Sequence, residues 1–288
     1  MFESISQLLS ESEVQKIPLH EFILKDESEY THTAESKIIE RLKKSLNVMK
    51  QSLEKALTSD MELPIKEASH QANKLLSNGI FFGNNMKEAM AWAMAIGEYN
   101  SGMGLIVACP TAGSSGVLPA VLFKAKDILS KSDDDILNGL MVAAAIGAII
   151  GNQAMLSGSE GGCQAEVGVA SAMAAAAITY IAGGSHEQIS NAIALSLKNL
   201  LGLICDPVAG LVISPCIKRN AIGVVNAFTA AEMALSGVTS IIPADEIIDA
   251  MMKVGRKLPY ELKETGKGGI AATKTGKMIK RRIFSDME

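Results

Sequence analysis

The chain has 288 residues, of which 48% are hydrophobic, 20% charged and only 4% aromatic, with a formal net charge of −4. A core short of aromatics is built from aliphatic, Ala and Met side chains, which argues against a β-sandwich or barrel and for closely packed helices. The acidic balance excludes the basic domain or stripe that general nucleic-acid binding needs.

The opening stretch MFESISQLLSESEVQ carries acidic residues early and lacks the apolar run of a secretory leader. Four cysteines are too few for a disulfide framework in a chain of this size. Both features point to a cytoplasmic protein. The clearest helix is 34–57, where Ile39, Leu42, Leu46, Met49, Leu53 and Ala56 form one apolar stripe at spacings of three and four. Thr33 is placed to cap it, with Glu35 in the first turn. A polar N-terminal part then gives way to an Ala/Gly-rich body. The chain therefore divides into an N-terminal helical extension, 1–60, and a helical domain, 61–288.

Pro64 opens a predicted helix through Leu76, closed by Asn78 and Gly79. Further helices are predicted at 85–100 and 116–129, with a short stretch, Leu105 to Val107, that suits an extended backbone. Ser132 before three aspartates reads as a capping box for 133–151, and Ser185 with Gln188 as another for 186–201. Helices at 164–182, 218–236 and 244–254 complete the body, and the basic stretch Lys274 to Arg282 reads as a solvated terminal helix. Two apolar runs, 140–151 and 167–184, are too short or too rich in Ala and Gly for membrane spans. They read as central buried helices of an all-α single domain, with no membrane partner.

Three loops interrupt these helices. The first, Ser157 to Cys163, is rich in Gly and places a cysteine at a helix start, where the dipole favours a thiolate. The second runs from Cys205-Asp206-Pro207 to Pro215-Cys216. Spacing alone fits either buried structural cysteines or a three-thiolate site. It is neither a compact zinc pattern nor a ferredoxin run, although soft thiolates would select zinc or an iron–sulfur cluster. The third loop, Pro110 to Gly116, opens a helix and suits a carboxylate or phosphate, and no Gly-Lys pair follows to make it a Walker loop.

The segments VACPTAGSSGVLPAVL (107–122), SGSEGGCQAEVGVASAMAAAA (157–177) and NLLGLICDPVAGLVISPCIKRNA (199–221) resemble the alpha chain of the iron–sulfur-dependent bacterial L-serine dehydratases. The resemblance runs from about residue 30 to the end, and GCQAEVG and CDPV-x7-C are highly specific. It implies an all-helical fold and conversion of L-serine to pyruvate and ammonia without pyridoxal phosphate. It also implies a 4Fe–4S cluster held by Cys163, Cys205 and Cys216. The length and the alpha-type start resemble the two-chain form, so a separate beta chain and a hetero-oligomer are expected. Single-chain relatives can end in a cysteine that reaches the fourth iron, whereas the tail RRIFSDME has none. Cys109 also departs from the pattern and reads as a packed side chain.

On this reading the substrate carboxylate docks on Thr111, Gly113, Ser114 and Ser115, with Ser157 and Ser159 as second candidates. The base that takes the Cα proton is not identified by the sequence. His70, inside the predicted Pro64 helix, is the candidate that could face inward. Alternatives are a related helical iron–sulfur family that releases sulfide from L-cysteine, a non-catalytic metal-binding helical subunit, and a zinc protein.

Overall fold

The computed structural model describes residues 2–285, so the end of the cysteine-free tail lies outside the described residues. Thirteen α-helices account for most of the described chain, and no strand occurs among the described residues. The nearest approach to a sheet is one isolated parallel bridge between Cys205 and Lys263.

Two helices precede the first predicted one, α1 (Ile5–Gln15) and α2 (Leu19–Thr31). In α1 the Ser4 hydroxyl caps the N–H of Gln7, and Ile5, Leu8, Leu9 and Ser12 share the buried face. The Asp245 carboxylate accepts the N–H groups of Ile5 and Ser6 at 2.8 and 3.0 Å, placing an anion at the positive end of the helix. Side chains of α1 and α2 belong to the same core as the body, so the N-terminal stretch contributes to one helical domain.

The long helix α3 (Glu35–Thr58) buries only Met49, Ser52 and Leu53, consistent with a surface amphipathic helix. Its expected Thr33 cap does not form: Ala34 stands at the cap and the Thr33 hydroxyl donates to the Thr31 carbonyl instead. The predicted Pro64 helix is also divided. A single 3-10 turn, Lys66–Ala68, precedes α4 (Gln71–Asn78), and His70 between them takes a left-handed backbone. Its positive φ prevents one continuous helix.

The remaining helices are α5 (Asn84–Ser101), α6 (Val117–Leu129), α7 (Asp133–Gln153), α8 (Gly158–Gly161), α9 (Val169–Ile181), α10 (His186–Asn199), α11 (Cys216–Leu235), α12 (Ala244–Lys257) and α13 (Lys274–Phe284). Both predicted capping boxes form, at Ser132 with Asp135 and at Ser185 with Gln188. Leu105 to Val107 is irregular rather than part of a strand.

Helix α9 is the centre, packed by α6, α7, α10 and α11. Its Ala face makes this possible. A Cβ at Gly139 of α7 would lie 2.4 Å from Ile181 Cδ1, so a larger residue there would have to displace the end of that side chain. Two helices, 133–153 and 164–181, are long and apolar enough to cross a membrane; the second is 94% buried within the fold. Several polar groups inside this core are paired, although the buried Ser12 and Thr179 hydroxyls have no hydrogen-bond partner among the described residues. Asn226 donates to Ser171 Oγ and to the Ser196 carbonyl, each at 2.9 Å, tying α9, α10 and α11 together.

Candidate metal centre

The site assembles from the starts of two helices and the loop between them. After α8, Gly162 turns with φ +78°, a conformation that favours glycine, and delivers Cys163. Residues 164–168 then form a π-helical turn that runs into α9. Such turns recur at functional sites. Gln164 clamps the region: its amide donates to the carbonyls of Gly161 and Met251 at 2.9 and 3.0 Å, and its oxygen accepts the Gly202 N–H at 2.9 Å.

Cys205 is held through its backbone, its N–H donating to Leu262 at 2.8 Å and its carbonyl accepting from Glu264 at 2.7 Å. Cys216 is the first residue of α11. The next turn of that helix fastens the other loops to it. Arg219 donates to the Ile204 carbonyl and to Asp206 Oδ1, both at 2.8 Å. Asn220 donates to the carbonyls of Gly113 and Cys216 at 2.7 and 2.9 Å and accepts the Gly116 N–H at 3.1 Å. Asp206 in turn accepts the Ile270 N–H at 2.8 Å. A side chain at Gly269 would collide with that carboxylate, its Cβ lying 2.2 Å from Oδ2.

These ties bring Cys163, Cys205 and Cys216 together as buried free thiols that sense one another's charge. Burial pushes the Cys163 thiol up to about 11, with Arg219 opposing the rise. Burial pushes Cys216 up to about 12, reinforced by Cys163. Burial, then Glu166 and then Cys163, raise Cys205. A metal bound by these thiols would have to displace their protons.

Glu166 shares this space. Its Oε1 accepts from the Thr111 hydroxyl at 2.7 Å, and its Oε2 accepts from the Cys205 thiol at 3.7 Å. Burial raises its pKa, opposed by the Thr111 hydrogen bond. Ligand atoms of Glu166, Cys205 and Glu264 lie within 4.8 Å of one another. Gly158 packs directly against both groups, since a Cβ there would sit 2.5 Å from Glu166 Oε2 and 2.9 Å from Cys205 Sγ. The thiols of Cys163, Cys205 and Cys216 are soft donors of the kind that suit an iron–sulfur group.

The chain matches the family profile of the serine dehydratase alpha chain over residues 14–271. It belongs to that family. It is 44% identical to the probable L-serine dehydratase alpha chain of Bacillus subtilis (strain 168) over 287 residues, covering 99% of this chain and 96% of that one. The L-serine dehydratase alpha chain of Peptoniphilus asaccharolyticus is 41% identical over 290 residues, covering 99% of both. L-serine dehydratase 1 of Escherichia coli (strain K12) is 36% identical over 233 residues, which span 77% of this chain but 51% of that protein.

The other residues singled out in the sequence of this family member divide by position. Thr111 and Gly113 face Glu166. Ser114 and Ser115 are buried and turn inward, donating to the carbonyls of Cys109 and Ala112 at 3.3 and 2.8 Å. Ser157 caps α8, with its hydroxyl 2.5 Å from that of Ser159. His70 stands 3.8 Å from Asp60, and Glu98 is its other charged neighbour, so the position expected inside a helix is a half-exposed cap. Cys109 lies in the main apolar core, apart from the other three cysteines, and burial pushes its thiol up to about 12.

Glu166, Asp206, Arg219 and Asn220 were not singled out from sequence. Glu166 did carry a signal, being the one charged residue between 161 and 185. A carboxylate in such an apolar run has to be explained by a partner or a ligand.

Proposed function

We propose that this chain is the alpha subunit of an L-serine ammonia-lyase, holding a 4Fe–4S cluster on Cys163, Cys205 and Cys216 and working with a second, beta chain. What supports this reading is that Cys163, Cys205 and Cys216 are buried free thiols close enough to oppose one another's ionisation, and that Cys205 bonds the Glu166 carboxylate that Thr111 also binds. The near full-length identity to named alpha chains supports the substrate.

When bound, an iron with an open position supplies Lewis-acid assistance to loss of the substrate hydroxyl. The protein's own residues do the rest of the positioning. Gln164 and Asn220 fix the loops that carry Cys163 and Cys216. Arg219 brings positive charge to a centre otherwise rich in thiols and carboxylates. Thr111 and Gly113 form the wall for the substrate carboxylate, and Ser114 and Ser115 shape that loop from within. Elimination of water from L-serine gives aminoacrylate, which hydrolyses to pyruvate and ammonia. Four free cysteines fit a reducing compartment, in keeping with the cytoplasm.

The test is pyruvate formation from L-serine by the anaerobically loaded chain, alone and with its beta chain. Turnover is expected only with both chains present. Normal turnover by this chain alone would overturn the two-chain reading, and sulfide release from L-cysteine without pyruvate from L-serine would move the protein to the other chemistry.

A further inference from the structure

We infer that Asn220 is a positioning residue that couples the Thr111–Ser115 loop to the backbone of Cys216, and so keeps the substrate's carboxylate in register with the metal centre that takes its hydroxyl. It rests on the proposed function and names a determinant within it.

Asn220 stands one helical turn after Cys216 on α11, so the two share a face of that helix. It is 1% exposed, and both amide N–H groups and the amide oxygen are engaged. Nδ2 donates to the Cys216 carbonyl at 2.9 Å and to the Gly113 carbonyl at 2.7 Å. Oδ1 accepts the Gly116 N–H at 3.1 Å. One planar group therefore joins the backbone of a cysteine read as a cluster ligand to the middle and the end of the loop read as the carboxylate site.

The other contacts of the loop leave this link in control of its centre. Thr111 holds the entry by its bond to Glu166, and Asn100 of α5 donates to the Ala112 carbonyl at 3.2 Å. The Ser114 and Ser115 hydroxyls turn back to the carbonyls of Cys109 and Ala112. The exit is fixed by packing, because a Cβ at Gly116 would lie 2.2 Å from the Ala93 carbonyl oxygen of α5. Gly113, in the middle of the arc, takes its bond from Asn220. The preceding residue of α11 serves the opposite side: Arg219 bonds Ile204 and Asp206. Adjacent positions of one helix thus divide the work, Arg219 bracing the cysteine loops and Asn220 setting the substrate loop.

Elimination needs the hydroxyl at the metal while the carboxylate is anchored on the loop. These two anchors lie on separate segments, and a misplacement of about 1 Å between reacting groups costs about a hundredfold in rate. Asn220 is the side chain that touches both segments directly.

The experiment uses the full chain, metal-free and anaerobically loaded, with amide hydrogen exchange followed by mass spectrometry over 110–116 and over α11. Loading restrains Cys216, and Asn220 passes that restraint on, so loading should slow exchange at 110–116 by about tenfold in the parent. Asn220→Ser is too short to bridge the two segments. Its iron per chain should match the parent, and loading should still slow exchange in the first turn of α11. Its 110–116 loop should respond by less than about twofold. With the beta chain added, kcat for L-serine per loaded chain should fall by about tenfold to a hundredfold, while KM stays within about threefold.

A parent loop indifferent to loading overturns the inference, as does an Asn220→Ser loop that responds like the parent's. Loss of iron in the variant would mark a support of the ligand alone. A raised KM at unchanged kcat would mark a part of the carboxylate pocket, and either result overturns it. If Asn220→Ser does not fold, Asn220→Asp decides by the same criteria, since it keeps the shape and the acceptor for Gly116 but removes both donated bonds. A parent chain that takes up no iron would instead refute the proposed function itself.

Discussion

Replacing Arg219 with Gln tests the brace that holds the cysteine loops together. The Arg219 and Asp206 side chains are 16% and 2% exposed, so this is a buried ion pair. Removing one partner of such a pair costs about 3–5 kcal/mol, because the other charge is left buried and uncompensated. Asp206 keeps the Ile270 N–H, which places the expected loss near the lower end, ~3 kcal/mol. At about 2–4 °C per kcal/mol for a large domain, the midpoint of thermal unfolding should fall by about 6–12 °C. The assay is circular dichroism of the metal-free chain under reducing anaerobic conditions. Asp206→Asn in the same chain should restore much of the loss, since it removes the stranded charge, and the double-variant cycle should show coupling of about 1–3 kcal/mol. A Gln variant within 1 °C of the parent, or strict additivity of the two substitutions, would refute the claim that this pair fastens Cys216 to the Cys205 loop.

Three further outcomes are expected. Burial lowers the His20 pKa, its Nδ1 lying 2.6 Å from the Tyr180 hydroxyl, so below about pH 6.5 the unfolded chain binds a proton that the folded chain resists. Stability should therefore fall as pH drops through that value, and His20→Gln should flatten the slope in urea titrations at pH 5 to 7; an unchanged slope contradicts the assignment. Cys109→Ala should leave iron content unaltered while lowering stability modestly, because that thiol packs in the main core; loss of iron would make it part of the centre. Gly158→Ala should fold but load much less iron, since its methyl would enter the space between Glu166 and Cys205; full loading would show that the space is not used.

Much of the helical scaffold was legible because its signals are local. Ser132 with Asp135 and Ser185 with Gln188 form capping boxes within four residues, and nothing distant competes with them. Thr33 fails as a cap for a related reason, because its hydroxyl finds the Thr31 carbonyl first. The break at His70 was not legible, since the start of α4 beside it is held by a residue far along the chain, Glu98 of α5, which accepts the Ala72 N–H at 2.9 Å. Helix α1 was not predicted: its buried Ile5, Leu8, Leu9 and Ser12 are short of a long apolar stripe, and its anchor is Asp245, far away in sequence.

The site divides in the same way. The Gly-rich loops and cysteines stand out by composition and by their resemblance to the family. Arg219 and Asn220 look like ordinary helix polar residues in CIKRNA, and only the folded chain shows that they reach Asp206 and the 110–116 loop. Ser114 and Ser115 look like ligand-binding hydroxyls in a string of letters, but their bonds go inward.

The central claim is that Cys163, Cys205 and Cys216 together hold one iron–sulfur cluster. Its most direct test is iron and acid-labile sulfide per chain after anaerobic reconstitution, measured for the parent and for each Cys→Ser variant. The account predicts about four of each in the parent and in Cys109→Ser, and a loss of most of both in Cys163→Ser, Cys205→Ser and Cys216→Ser. A full complement in Cys216→Ser, or bound zinc in place of iron in the parent, would contradict it.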